Sequence, residues 1–479
     1  MRRHLSDESV DLIYLDPPFK SNVDYNVIFE EKSGTKAAAQ IKAFEDTWEW
    51  DTESERAFEA VVEQGGRLSQ LLQAFRQFLG ESDMMAYLSM MAPRLQEMHR
   101  VLKPTGSIYL HCDPTASHYL KLVLDAIFGK VQFRNEVIWW YRKWGKPKSH
   151  FLRSHDVLLF YAKGPDQHFK ILNVPLSPST IKRFGGKRQD FADEARTRKI
   201  ATDKESEGGI RSDVWTHNLI PAASAERLGY PTQKPIALLK TIIEASSNPG
   251  DIVLDPFCGC GTAIDAAERL ERRWIGIDIT ALAVNLIKRR LADTYTDKIT
   301  GTYDVIGEPV SVADAERLAV QDPYQFQFWA LGLVLARPAE EKRGADQGID
   351  GRLYFHDGEK QTKQIIISVK AGQHVSVAMI RDLRGVVQRE KADMGVLISM
   401  VEPTKPMRAE AASGGFYVSP MGGKHQRIQI LTIPELLKPN ARGIDYPSRH
   451  QRMDATFRKA QRDQNLPFSA LTLLDKNDD

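Results

Sequence analysis

An apolar run, Val10, Leu12, Ile13, Tyr14 and Leu15, interrupted only by Asp11, ends at Asp16. It reads as a buried strand. Pro17 and Pro18 cannot continue a hydrogen-bond ladder, so the strand stops there and a loop leaves its carboxyl end. From about residue 30 to 104 the pattern is mostly helical, with apolar side chains at three- and four-residue spacing over 85–102, until Lys103, Pro104, Thr105 and Gly106 break it. The pattern then predicts a strand over 107–111, a helix over 115–129, and strands over 136–141 and 157–161. Residues 164–230 lose periodicity, are rich in Lys, Arg, Ser and Gly, and read as an inserted recognition region. Alternation returns with a helix over 235–246, a strand over 251–255, a helix over 262–270, a strand over 273–278 and a helix over 281–291. Strands alternating with helices predict an α/β fold with a mainly parallel sheet. The expected organisation is a first domain over 1–295 with 164–230 as its insert, a linker over 296–320, a smaller α/β domain over 321–438 and a polar tail over 439–479.

Composition narrows the class. The 479 residues are 42% hydrophobic and 27% charged, as in a soluble globular protein and unlike a disordered or collagen-like one. Cys112, Cys258 and Cys260 cannot build a disulfide framework, which suits a reducing compartment. No apolar run approaches the roughly 18 residues of a membrane span, and the opening residues lack the apolar stretch of a secretory signal. A cytoplasmic protein with no membrane partner is expected. Lys and Arg total 65 against 63 for Asp and Glu, so any grip on a polyanion must come from local patches.

Two short segments carry the chemistry. Asp255, Pro256, Phe257, Cys258, Gly259, Cys260, Gly261 and Thr262 follow a strand and open a helix, and the glycines let the backbone approach a ligand closely. Asp278, 23 residues after Asp255, ends the next strand, where an acid accepts hydrogen bonds from ribose hydroxyls. A third glycine is missing, which disfavours a dinucleotide. The other segment, Asp16, Pro17, Pro18 and Phe19, joins a carboxylate, a carbonyl stiffened by two prolines and an aromatic face. These suit an exocyclic amino group on a planar base. Its lone pair is delocalised into the ring; Asp16 and the Pro17 carbonyl accept its N–H groups and stabilise developing positive charge, while Phe19 stacks on the ring.

With these residues in view, the chain resembles an amino-group DNA methyltransferase of the permuted β class. The matching segments are 16–19, 106–113 (Gly106 through His111, Cys112 and Asp113), 155–161 (His155, Asp156 and the run to Tyr161), 230–235 (Tyr230, Pro231, Thr232, Gln233, Lys234 and Pro235) and 255–262. They stand in family order within about residues 8–292. The resemblance implies a Rossmann-like S-adenosylmethionine-dependent fold and in-line methyl transfer to adenine, since Asp rather than Ser heads the tetrapeptide. It assigns catalysis to residues 16–19, and cofactor binding to Asp255, Pro256, Phe257, Gly259, Gly261, Thr262, Asp278, Thr232 and Lys234. Family members usually carry a Gly-Asp-containing segment before the first strand, so an upstream in-frame extension is expected.

The implied partner is double-stranded DNA with its target base flipped out of the stack. Residues 139–148 hold three of the eight tryptophans and four positive charges with no acid, and resemble a DNA-facing surface, with Trp140, Arg142, Lys143, Lys146 and Lys148 as contacts. A second basic stretch, with Lys182, Arg183, Lys187, Arg188, Arg196, Arg198 and Lys199, suits phosphate contacts.

In the second domain, Asp350 precedes a strand that ends at Lys370. An acid and a lysine so placed resemble a restriction-endonuclease-like fold of Mrr type, in which the Asp binds a divalent metal and the Lys helps activate water. That family wants a carboxylate or amide two residues before the lysine, where this chain has Ser368. The resemblance therefore implies a Mg2+ site on Asp350 that needs a second acid, such as Glu316 or Asp346. Cleavage and a nuclease-fold DNA-binding remnant both remain open at this point, as do a single-chain restriction-modification enzyme, methylation of a cytosine amino group, and a truncated DNA-binding protein without methyl transfer.

Overall fold

The computed structural model describes residues 1–18, 50–191, 199–221, 223–228, 230, 232–295, 297–339, 348–358, 362–420, 422–438 and 441–447. Phe19, Pro231, Arg196, Arg198, Asp346 and the tail beyond 447 lie outside them.

The apolar run forms β1 (Val10–Leu15), buried on both faces as an interior strand must be. Three helices follow the first strand, α1 (Thr52–Gln64), α2 (Gly66–Leu79) and α3 (Asp83–Val101). Then come β2 (Leu102–Cys112), α4 (Pro114–Phe128), β3 (Phe133–Trp140) and β4 (His155–Ala162). Ser82 caps α3 by accepting the Met85 N–H, and Asp113 caps α4 by accepting that of Ala116. The insert contributes β5 (Asn173–Val174), α5 (Pro178–Phe184), β6 (Lys187–Phe191), β7 (Lys199–Glu205), β8 (Gly209–Ile210) and β9 (Val214–Trp215). After it run α6 (Ile236–Ser246), β10 (Ile252–Asp255), α7 (Thr262–Arg269), β11 (Arg273–Gly276) and α8 (Ala281–Tyr295).

β2 begins earlier than the sequence pattern predicts. Val10 pairs with Leu102 and Leu12 with Ser107, so two steps along β1 correspond to five along β2. Pro104–Gly106 is a bulge inside the strand rather than the break before it. The Lys103 ammonium donates to Asp11 at 2.7 Å, and a Cβ on Gly106 would lie 2.8 Å from the Asp11 carbonyl oxygen.

The seven-stranded sheet has the order β11-β10-β1-β2-β4-β3-β9, and its core pairings β11-β10-β1-β2 are parallel. The chain leaves β1 through α1–α3 to β2 on one side, and leaves β10 through α7 to β11 on the other. The connections diverge between β1 and β10, and such a switch point opens a crevice at the carboxyl ends of the strands. Asp11 helps set this pairing by also accepting the Ile252 N–H at 2.9 Å. Alternate side chains of β1 serve opposite cores. Ile13 and Leu15 pack with Leu88, Leu95, Ile108 and Leu124, while Leu12 and Tyr14 pack with Tyr109, Leu239, Ile242 and Ala266.

The second unit comprises α9 (Val312–Gln321), α10 (Pro323–Leu333), β12 (Arg337–Pro338), β13 (Gly351–Phe355), β14 (Lys363–Lys370), α11 (Val377–Arg389), β15 (Met394–Ser399), α12 (Lys405–Ala412), β16 (Phe416–Val418), β17 (Lys424–Gln426), β18 (Ile428–Thr432) and α13 (Ile433–Leu436). Its five-stranded sheet has the order β12-β13-β14-β15-β18 and is covered on both faces. The predicted linker over 296–320 is not plain linker. Ser311 and Asp314 form a reciprocal cap, and Ala315 of α9 is fully buried in the second core. Val312, Ala315, Leu318 and Ala319 of this helix pack on the second core, a helical spacing inside a stretch that reads as linker. The two units touch through α8, where the Ala281 N–H donates to Gln325 at 3.1 Å and Asn285 donates to the Phe328 carbonyl at 3.5 Å. No helix among the described residues is long and apolar enough to cross a membrane.

α8 is also tied to α7. The buried Arg290 guanidinium donates to Asp265 at 2.8 and 3.0 Å, to the Cys260 carbonyl at 3.1 Å and to Thr262 Oγ1 at 3.1 Å. Burial alone would raise the Asp265 carboxyl, but the charges of Arg290 and Arg269 and the Tyr295 hydroxyl outweigh it and hold it below the usual range. Arg290→Met strands a buried carboxylate and is expected to cost about 3 kcal/mol of stability, measured by denaturant unfolding. The native network stabilises fully above the ordinary Asp value and loses its contribution as pH falls through the depressed one. The gap between wild type and variant should therefore narrow below about pH 4.

Candidate active site

Asp16 stands at the carboxyl end of β1 with its side chain 15% exposed. Its Oδ2 accepts the Lys234 ammonium, and its Oδ1 faces His111 Nδ1 at 3.9 Å. His111, on β2, is completely buried. Its Nδ1 also meets the Tyr14 hydroxyl at 2.9 Å, while Nε2 pairs with Asp156 Oδ2 at 3.3 Å. The Tyr141 hydroxyl donates to Asp156 Oδ1 at 2.9 Å, and the Trp139 ring stands edge-on to His111 at 5.5 Å. The sheet explains the convergence. β1 and β2 end together, and β4 runs antiparallel to β2, so its first residues meet their carboxyl ends.

Burial works to raise the Asp156 carboxyl, but the His111 hydrogen bond and charge, aided by Lys234 and Tyr141, outweigh it and leave it below the usual range. Tyr14 is pushed well up by burial and by the charges of Asp16, Asp255 and Asp156. From the sequence His111 and Asp156 have no assigned role, and Tyr141 has only a place in the expected DNA-facing stretch. Both polar residues lie inside segments that carry the family resemblance, and that was the available signal.

The crevice's other wall is the turn after β10. Asp255 is buried, and its Oδ1 accepts the Phe257 N–H at 3.1 Å. Gly259 (φ +47°) and Gly261 (φ +73°) both occupy the left-handed region, and a Cβ on Gly261 would stand 2.8 Å from Ile287. Asp278 accepts the Gly259 N–H at 2.9 Å through one oxygen, and the Thr280 N–H and hydroxyl, each at 2.9 Å, through the other. Tyr230 packs against the turn, 3.2 Å from where a Gly259 Cβ would be. Pro256 and Thr262 are buried, Phe257 is half-buried, and Thr232 is exposed at the mouth. Lys234, assigned to cofactor by resemblance, instead extends to Asp16.

Burial raises the Asp255 carboxyl well above its ordinary value, reinforced by Asp16 and Asp278, and burial likewise raises Asp278 against its hydrogen bonds. Three carboxylates thus converge at the ends of neighbouring strands, with Lys234 among them.

The basic loop between β3 and β4 is exposed at Trp140, Arg142, Lys143, Lys146 and Lys148, and also at Trp144 and Phe151. Trp139 and Tyr141 depart from the expected DNA-facing surface. Both are buried, because the strand alternates and these side chains point to the core beside His111. Arg183 and Arg188 are exposed on the insert, whereas Lys187 is half-buried and paired with Glu205.

Among the described residues, which leave out the candidate second acid Asp346, the second unit does not present the expected metal centre. Asp350 Oδ2 accepts the Val369 N–H at 2.6 Å and the Ser368 hydroxyl at 3.1 Å, so the carboxylate clasps the end of β14. Lys370 is half-buried at that strand's end, and Glu316 is engaged by Gln373 at 3.1 Å. Among the described residues no group of three or more His, Cys, Asp or Glu side chains is placed to hold a metal ion. The donors do not fit Mg2+, which wants several oxygens in near-octahedral array.

Fold and crevice define a doubly wound α/β protein with an acid-rich ligand site at its switch point. The family described as DNA methylase, of the N6/N4 methyltransferase type, matches residues 10–289, and the chain belongs to it. A second family, NACHT-associated inactive Restriction Endonuclease 1, matches residues 329–438. That match carries the restriction-endonuclease likeness but brings neither the Mrr type nor a magnesium ion with it. Among curated relatives, Type II methyltransferase M.EcaI of Enterobacter cloacae is 30% identical, covering 43% of this chain and 58% of its own length. Type II methyltransferase M.HpaI of Haemophilus parainfluenzae is 31% identical over 43% of this chain and 59% of its own. DNA adenine methyltransferase YhdJ of Escherichia coli (strain K12) is 27% identical over 59% of this chain and 76% of its own. The chain thus spans just under three-fifths of the length of the first two.

Magnesium at millimolar concentration should leave the thermal midpoint unchanged, as differential scanning fluorimetry would show; a rise, or cutting of unmethylated DNA, contradicts the structural role of Asp350. Asp350→Ala should cost about 1–3 kcal/mol by leaving the Val369 N–H without its acceptor.

Proposed function

We propose that the chain methylates the exocyclic amino group of adenine in double-stranded DNA, using S-adenosylmethionine. The observation that carries this reading is the pairing of β1 with β10, which sets Asp16 beside the Gly259–Gly261 turn in one crevice. Asp278, the Gly259–Gly261 turn, Phe257, Asp255, Pro256, Thr262 and Thr232 are the residues that would hold the cofactor. When bound, it supplies a methyl group already activated on a sulfonium.

Asp16 and the Pro17 carbonyl accept the two N–H groups of the amine, draw its lone pair out of conjugation and favour a pyramidal nitrogen aimed at the methyl carbon. They also stabilise the positive charge that grows on nitrogen, which is electrostatic catalysis by pre-set acceptors. Lys234, already on Asp16 Oδ2, holds the carboxylate in place from the side of the cofactor turn. A base reaches this pocket only when flipped out, and the exposed aromatics and cations of the β3–β4 loop are suited to offset the few kcal/mol that flipping costs. Adenine is favoured by the Asp that heads the tetrapeptide and by the similarity to the DNA adenine methyltransferase YhdJ. The second unit fits a DNA-binding, non-cleaving role, as the family description "inactive" and the engaged Asp350 both support.

Asp16→Ala is expected to lower methyl transfer by about a thousandfold while cofactor binding persists. Asp278→Ala should weaken cofactor binding by roughly tenfold or more, from loss of hydrogen bonds to a charged group. Tritium transfer to PCR-amplified bacterial DNA and calorimetry check the pair. Nucleoside digestion of the product identifies the base, and N4-methylcytosine instead of N6-methyladenine would refute the adenine assignment.

A further inference from the structure

The buried His111 and the half-buried Asp156 stand beside Asp16, and no role in methyl transfer accounts for them. We propose that His111, oriented by Asp156, is the positioning residue that receives the amino proton from Asp16 after methyl transfer and so restores the Asp16 carboxylate for the next turnover. This rests on the methyltransferase reading above.

Methyl transfer leaves a proton that has to be passed on. When the amine nitrogen attacks the methyl carbon, the sulfur–carbon bond breaks onto sulfur and the nitrogen becomes a cation carrying two hydrogens. One N–H bond must then break, its electron pair returning to nitrogen and its proton passing to the Asp16 carboxylate. Asp16 Oδ2 is engaged by Lys234, and Oδ1 is the oxygen that faces His111 Nδ1, at 3.9 Å. That is about 1 Å beyond an ordinary hydrogen bond, a gap that a small side-chain shift closes. In the tautomer with Nε2–H donated to Asp156, the single Nδ1 lone pair accepts the Tyr14 hydroxyl at rest; for Nδ1 to take the proton from Asp16, that hydroxyl turns away and its oxygen accepts from the new Nδ1–H. Once protonated, the imidazolium lies between the Asp156 and Asp16 carboxylates.

The groups around His111 come from every neighbouring element. They are Tyr14 and Asp16 from β1 and its end, Asp156 from β4, Trp139 and Tyr141 from β3 and the residue after it, Cys112 and Asp113 on its own segment, and Lys234 from the segment before α6. Asp156 is the carboxylate in hydrogen-bonded contact with the ring. Its side chain is 18% exposed, so it gives the proton a way toward solvent.

The experiment is the pH dependence of single-turnover methylation of PCR-amplified DNA by the full chain. Asp156→Asn weakens the base and removes the charge that favours the imidazolium. The rate should fall about tenfold or more, and the acid limb should move down by about one pH unit, with the cofactor Kd unchanged. Tyr141→Phe removes a hydrogen bond from Asp156, concentrates charge on the carboxylate and should move the limb upward; it keeps the proposal testable should Asp156→Asn fold poorly. A fall by one factor at every pH, with the limb where the wild type has it in both variants, overturns the proposal while leaving the methyltransferase reading intact. A wild-type chain that binds the cofactor but transfers no methyl group overturns that reading, and the proposal with it.

Discussion

The structure depends on the parallel pairing of β1 with β10, in which Leu12 lies opposite Val253 and Ile13 opposite Leu254. Two strands some 240 residues apart become neighbours, and the chain leaves them in opposite directions. At that divergence the connections run to opposite sides of the sheet, which is where a crevice opens at the strands' carboxyl ends. Asp11 reinforces the pairing from within, its carboxylate holding Lys103 of β2 and the Ile252 N–H of β10 together. A side chain at one end of the strand thereby helps place Asp16 at the other.

The crevice is electrostatically costly. Asp16, Asp255 and Asp278 crowd its rim, and burial raises the latter two. The protein tolerates this through three local devices. Lys234 meets Asp16, backbone N–H groups meet Asp255 and Asp278, and the Arg290–Asp265 network ties the glycine turn to the helix behind it. That helix, α8, also abuts α10 of the second unit, so the glycine turn and the second unit are joined through one helix.

The second unit shows how one substitution in a nuclease-like pattern redirects a carboxylate. With Ser368 where the pattern wants a second ligand, Asp350 turns to the strand itself and accepts from Ser368 and Val369. Here the carboxylate acts as a strand clasp. Ser is too short and too weak a donor atom to complete a hard-cation site, but it is well suited to hydrogen-bond a neighbouring carboxylate.

Local pattern was enough for the elements whose periodicity is one-sided and strong. β1 stopping at Asp16, the strand–glycine turn–helix at 252–269 and the alternating order of the first unit all follow from short-range sterics and burial. Residues 16–19 and 255–262 also stand out in the sequence, because those residue types have few structural uses in such company; Phe19 lies outside the described residues. What stayed hidden was non-local. The bulge in β2 exists because β1 dictates its register, and α9 because a distant core covers its apolar face. Trp139 and Tyr141 are buried because β3 turns that face inward beside His111. Lys234 belongs to Asp16, and His111 to Asp156, only because strands from separate stretches end at the same level. Sequence alone determined which chemical groups the chain possesses and which segments form strands and helices, since those are decided by near neighbours. Tertiary structure alone decided which charges face one another, since Coulombic pairing depends on distance in space and not along the chain.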